Sequence, residues 1–228
     1  MAKLKNQFLG KVSGKLGDIV FRNTRKTNYL SSRPSSFNVP MDEEAINRRG
    51  KFAISGKLSS ILISVPELKQ IWLQQIPSDA NIHNYLVKTF YPLLDGNGLN
   101  ENISITPPMG FIAQPNQIEV TTEMINVTIK AIGNRSGINP EVEKSVKLFS
   151  IVSLDSPSGK NLMQYTLIPL NSENVALSLD NYLLFTIPLT NQISDLMDKY
   201  TNRLMLFCLV TFDMNNNPIN YSATFYRR

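Results

Sequence analysis

The spacing of hydrophobic and polar positions changes character twice along this chain. Residues 18–22 and 27–31 read as extended segments on either side of the polar stretch 23–26. Two extended segments around a polar turn predict a hairpin. Residues 34–40 are bounded by Pro34 and Pro40 and carry serines, a linker composition. From Asp42 the spacing becomes helical. Asp42 is placed to cap a helix reaching residue 63, with Glu43 and Glu44 in a first turn that favours negative charge. Ala45, Phe52, Ile54, Leu58, Ile61 and Leu62 supply its expected apolar stripe. Gly50 and Gly56 each weaken such a helix by about 1 kcal/mol relative to alanine, so both are expected at points of close packing. Pro66 suits the first turn of a second helix with Leu68, Ile71 and Trp72 inward. A third helical stretch, 80–94, carries Ile82, Leu86 and Phe90, and Pro92 should end or kink it.

After residue 100 the pattern changes to period two. Strands are expected at 118–123, 125–131, 146–154, 162–169, 175–179, 182–188, 204–212 and 219–225, with a short helix inserted between 191 and 202. The run 204–212 is apolar on both faces, which predicts a central strand. Its second face then needs a cover, from the N-terminal helices or from another subunit. The fold class is α+β: an N-terminal hairpin and helices followed by a C-terminal antiparallel β-sandwich of immunoglobulin-like type. Three regions follow, namely a basic hairpin arm and linker (1–40), a helical region (41–110) and the sandwich (111–228).

Composition narrows the chemistry. The 228 residues are 42% hydrophobic and 18% charged, which excludes an intrinsically disordered chain. One cysteine, Cys208, and one histidine, His83, exclude a disulfide framework within one chain and zinc sites built on several Cys or His ligands. A Ser/His/Asp or Cys/His catalyst would have to use His83, which reads as a structural or surface histidine. Cys208 lies in the most apolar run and reads as an inert core thiol. Asp195 and Asp198 read as solvated acids on a helix. The segment 10–17, GKVSGKLG, resembles a phosphate loop, but only three residues separate Gly10 from Gly14-Lys15, and Leu16 stands where Ser or Thr would hold magnesium. The stretch from Gly50 to Gly56-Lys57 departs too, with Leu58 in the hydroxyl position. No catalytic residue, cofactor or metal is therefore expected. No apolar run approaches the roughly 20 residues of a membrane-crossing helix, and residues 1–30 lack a secretory core. Cytoplasmic synthesis without membrane insertion is expected, with a virion or a released assembly as the compatible destinations.

Charge is divided unevenly. Residues 1–60 hold twelve bases and four acids, a net +8, while the remainder carries −3. Such asymmetry points to a polyanion or to an acidic protein surface. The candidate interaction surface is Lys11, Lys15, Arg22, Arg25, Lys26, Tyr29, Arg33, Arg48 and Arg49. Bases and aromatics interleave there, as phosphate contact plus base stacking would require. The expected partner is a second copy or another assembly subunit. The alternative is nucleic acid, held weakly and without sequence preference.

Four stretches carry a resemblance: 10–34 (GKVSGKLGDIVFRNTRKTNYLSSRP), the helix around 47–72, the segment 81–110 (NIHNYLVKTFYP to ISITPPMG) and the strands from 142 to 226, closing with NYSATFY. In these the chain resembles an uncharacterised domain family of Bacteroidota and their mobile elements, over most of its length and in the same order. The resemblance implies a helical N-terminal part on an immunoglobulin-like sandwich. It implies no activity and no catalytic residue. The family has a short loop after the proline matching Pro188, and the longer segment 189–202 here departs from it.

Overall fold

The computed structural model describes residues 2–3, 14–23, 28–33, 36, 39–96, 98–133, 136–159 and 162–228. The chain forms two units, Met1–Asp42 and Glu43–Arg228. The first unit contains β1 (Ala2–Lys3), β2 (Gly14–Leu16), β3 (Ile19–Asn23) and β4 (Asn28–Ser32). They form one antiparallel sheet in the order β1-β4-β3-β2. β3 and β4 are the expected hairpin, each beginning one residue later than expected. The shift has a local cause. Asp18 belongs to the two-residue loop that joins Leu16 to Ile19, and Gly17 in that loop has φ +56°, the left-handed region glycine enters without strain. The Asp18 carbonyl also accepts a hydrogen bond from the Arg33 N–H at 2.7 Å.

The second unit is mixed α+β. Helices α1 (Glu43–Ser64), α2 (Pro66–Leu73) and α3 (Ile82–Phe90) come first, α3 tightening at Pro92 into a 3-10 turn, Tyr91–Leu93. Asn81 caps α3, its side-chain oxygen accepting from the Asn84 N–H at 3.2 Å. The strands are β5 (Pro115–Val120), β6 (Met124–Ile129), β7 (Ser145–Pro157), β8 (Tyr165–Asn171), β9 (Val175–Ala176), β10 (Leu183–Pro188), β11 (Tyr200–Phe212), β12 (Pro218–Tyr221) and β13 (Phe225–Arg227). The short helix α4 (Asn191–Met197) fills the segment between β10 and β11. β10-β6-β5 form a three-stranded sheet. β12-β11-β7-β8 form a larger one, with β13 also on β11 and β9 on β7, and both sheets are antiparallel.

Parity along β11 explains the layering. Leu204, Leu206, Cys208, Val210 and Phe212 point to one side and share a core with Ile54, Leu58, Leu62, Trp72, Leu86 and Phe90 of the helices. Met205, Phe207 and Leu209 point to the other and share a core with Ile125, Val127, Ile129, Phe185 and Ile187 of the small sheet. The larger sheet is thus buried on both faces, and the second face of the 204–212 run is covered by this chain's own helices. The helices and the sheets accordingly belong to one unit.

The α1 stripe differs from expectation. Phe52 is 62% exposed. At about 100° per residue, positions 52 and 54 lie some 200° apart and cannot share a face. Ser55 and Ser59 occupy the buried side instead, their hydroxyls donating to the carbonyls of Phe52 (3.0 Å) and Ser55 (2.7 Å). Gly50 marks close packing as expected, since a Cβ there would stand 2.8 Å from the Gly96 carbonyl oxygen. Gly56 does not, because nothing lies within 4 Å of its Cβ position.

Candidate interaction surface

Register assigns the described residues of the N-terminal sheet to two faces. Direct cross-strand neighbours share a face, and successive residues alternate. Leu16 pairs with Ile19, and Phe21 pairs with Gly14 and Leu30, so Leu16, Ile19, Phe21 and Leu30 line one face. Lys15 pairs with Val20, Val20 with Ser31, and Arg22 with Tyr29, which places Lys15, Val20, Arg22, Tyr29 and Ser31 on the other. One face is apolar and the other basic and aromatic. None of the described side chains of this sheet is buried. Leu16 is 69% and Ile19 45% exposed.

The predicted site residues fall into three groups. Lys15, Arg22 and Tyr29 come together on the basic face, and Arg33 is exposed at the end of β4. Lys11, Arg25 and Lys26 lie outside the described residues. Arg48 and Arg49 belong to α1 of the second unit. Arg48 forms an exposed ion pair with Glu44 at 2.7 Å, one helical turn earlier, an arrangement worth only a few tenths of a kcal/mol. What sequence reading missed is β2 and the apolar face it completes. Its signal was the alternation of Leu16 with Lys15 and the Gly-Asp loop, overshadowed by the phosphate-loop likeness.

The remaining chemical candidates lie in the second unit. His83 lines a groove of ≈ 440 Å³ on the helical side with Phe52, Val87, Lys88 and Tyr91. Asp198 is occupied by Arg203 at 3.0 Å. Glu143, buried in the second unit, was not singled out from sequence. It accepts from the Thr211 hydroxyl and, at 2.8 Å, from the Asn139 N–H, fastening the 139–143 turn to β11. Among the described residues no group of three or more His, Cys, Asp or Glu is placed to hold a metal ion, and no helix is long and apolar enough to cross a membrane.

Cys208 is fully buried, and burial pushes its thiol far above the ordinary value. The neutral thiol is therefore favoured by the fold. Its contribution to stability is complete below the ordinary thiol pKa of about 8.5 and declines as pH rises beyond it. Iodoacetamide at pH 8 should leave the native protein unlabelled and label one cysteine per chain after unfolding. Labelling of native protein at the rate of a free thiol would contradict the helix cover over β11.

Comparison with protein-family models, with curated proteins and with solved structures yields no match.

Proposed function

We propose that this chain is a non-enzymatic structural subunit that self-assembles through its N-terminal sheet, within a virion or an extended bacterial assembly. One observation carries the reading. The N-terminal sheet has an apolar face formed by Leu16, Ile19, Phe21 and Leu30, yet none of its described side chains is buried. A sheet is stable in water when its apolar face is covered. Its outer strands also offer backbone groups for pairing with a neighbouring subunit. The second unit completes its two cores from its own residues, which leaves the N-terminal sheet as the part suited to joining. That unit is the scaffold, and an immunoglobulin-like sandwich type is supported by its two antiparallel sheets closing on one core. The family the chain resembles has no assigned activity, so the resemblance adds no competing catalytic reading.

Sedimentation of the full chain and of a chain lacking residues 1–42 tests the proposal. The full chain should sediment as oligomers larger than a dimer, and the shortened chain should form nothing beyond a dimer while staying folded by circular dichroism. Equal monomers at high concentration would sink it.

A second reading is nucleic-acid binding through the basic face, favoured by Lys15, Arg22 and Tyr29 sharing that face. Binding of this kind falls steeply with salt. Lys15→Gln combined with Arg22→Gln should then abolish retention of single-stranded nucleic acid at low salt. Absence of binding by the parent chain at low salt removes this reading.

A further inference from the structure

Four outer strands of the second unit's two sheets, β8, β5, β12 and β10, differ in how their edges are protected. In antiparallel strands, residues point both backbone groups alternately toward and away from their neighbour. In β8, the Ser172 N–H bonds the Leu148 carbonyl at 2.9 Å, so Tyr165, Leu167, Pro169 and Asn171 turn outward. Pro169 has no N–H to offer, and the Tyr165 carbonyl accepts from Lys57 Nζ at 3.4 Å. In β5, the Thr121 N–H bonds the Met124 carbonyl at 2.9 Å, which turns Ile118 outward, and the Arg227 guanidinium occupies the Ile118 carbonyl. β12 is covered by Phe111, whose N–H bonds the Tyr221 carbonyl at 3.0 Å and whose carbonyl accepts from Ala223 at 2.7 Å. Proline, charge and cover are the usual devices against edge pairing.

Among the described residues, β10 carries such a device at its end, Pro188, and none at Leu184 or Thr186. The Leu189 N–H bonds the Glu123 carbonyl at 2.7 Å, so Leu183, Phe185 and Ile187 face β6 and the backbone groups of Leu184 and Thr186 face outward. The next outward residue, Pro188, ends the pairable stretch for lack of an N–H. Residues 181–194 contain no charged side chain. Tyr182 is 62% and Leu184 60% exposed beside this open edge.

We propose that β10 pairs antiparallel with β10 of a second copy about a two-fold axis through Phe185. That register sets Leu184 of each copy against Thr186 of the other, and each such pair exchanges two hydrogen bonds. The occupant is a second copy because the edge is neutral and self-complementary. Neither a basic nor an acidic strand finds a countercharge there, while two identical edges meet without like-charge contact and together cover Tyr182 and Leu184. The interface is isologous and therefore closed. It is also smaller than the roughly 1,600 Å² of a standard stable complex, so the dimer is concentration-dependent. It is separate from the N-terminal contact, and the two together generate extended chains.

The second unit contains both cores entire. Sedimentation equilibrium of the chain lacking residues 1–42, alongside the full chain, therefore reads this contact alone. A monomer–dimer equilibrium is expected in the shortened chain. Thr186→Pro removes an outward N–H from each copy without touching the β6 ladder and should raise the dimer dissociation constant about tenfold or more. Leu184→Lys, at an exposed position, should do the same by charge repulsion. Thr186→Val keeps the N–H and should associate as the parent does. A shortened chain that stays monomeric at the highest soluble concentration overturns the proposal. So does unchanged dimerisation in both Thr186→Pro and Leu184→Lys, or an equal loss in Thr186→Val.

Discussion

Replacing Trp72 by alanine is expected to destabilise the protein by about 3–5 kcal/mol, the range for emptying a large aromatic site in a core. Trp72 is 2% exposed, sits edge-on to Phe90 with ring centroids 5.9 Å apart, and donates its indole N–H to the Ile105 carbonyl at 3.0 Å. It therefore links α2, α3 and the loop that leads into the sheets. Truncation removes the packing and also leaves a buried carbonyl unpaired, a further cost of about 1–3 kcal/mol where no water replaces the indole. Trp72→Phe should fall between the parent and the alanine variant, because it keeps much of the ring volume but not the donor. Denaturant unfolding of the three proteins reads the difference. A loss below about 1 kcal/mol for the alanine variant would mean that the helices do not seal the larger sheet.

Gly110→Ala is expected to cost about 3 kcal/mol, the upper part of the range for overpacking. A glycine-to-alanine change at an ordinary backbone conformation usually stabilises by about 0.4–1 kcal/mol through the unfolded state, so the predicted sign is reversed. The reason is spatial. A Cβ at Gly110 would stand 2.6 Å from the Ser222 carbonyl carbon, 2.7 Å from the Ala223 nitrogen and 2.8 Å from the Tyr221 oxygen. These are backbone atoms and cannot rotate away. The next residue, Phe111, makes the two hydrogen bonds that seal β12, so the clash should open that edge as well. A midpoint shift at unchanged denaturant slope, together with faster amide exchange at Phe111 and Ala223, is the expected result. A variant as stable as the parent would refute the close approach.

Much of the architecture was legible in the sequence, and the exceptions have physical causes. The hairpin of β3 and β4, the three helices, the turn at Pro92 and the doubly apolar β11 all follow from local period and from proline and cap chemistry. The exceptions have different causes. Phe52 is apolar like its neighbours in α1, but helical geometry turns it outward and buries Ser55 and Ser59. β2 was hidden because the alternation of three residues, Gly-Lys-Leu, is too short to stand out against the phosphate-loop likeness. They become a strand by pairing with β3. Glu143 looked like any surface acid, and only the fold of residues 139–143 against β11 buries it beside Thr211.

The candidate surface divides in the same way. Composition alone located the basic segment and its aromatics. Register was needed to show that Lys15, Arg22 and Tyr29 share one face while Leu16, Ile19, Phe21 and Leu30 share the other. Sequence by itself determined the element types, the mixed α+β class and the charge division, because each is written in local spacing and in sums over residues. Tertiary structure alone decided which layer covers the second face of β11, where Gly110 must have no side chain, and which edge of the sheets stays open. Those properties belong to pairs of segments more than a hundred residues apart, or to the parity of a hydrogen-bond ladder, and neither is carried by the residues of one segment.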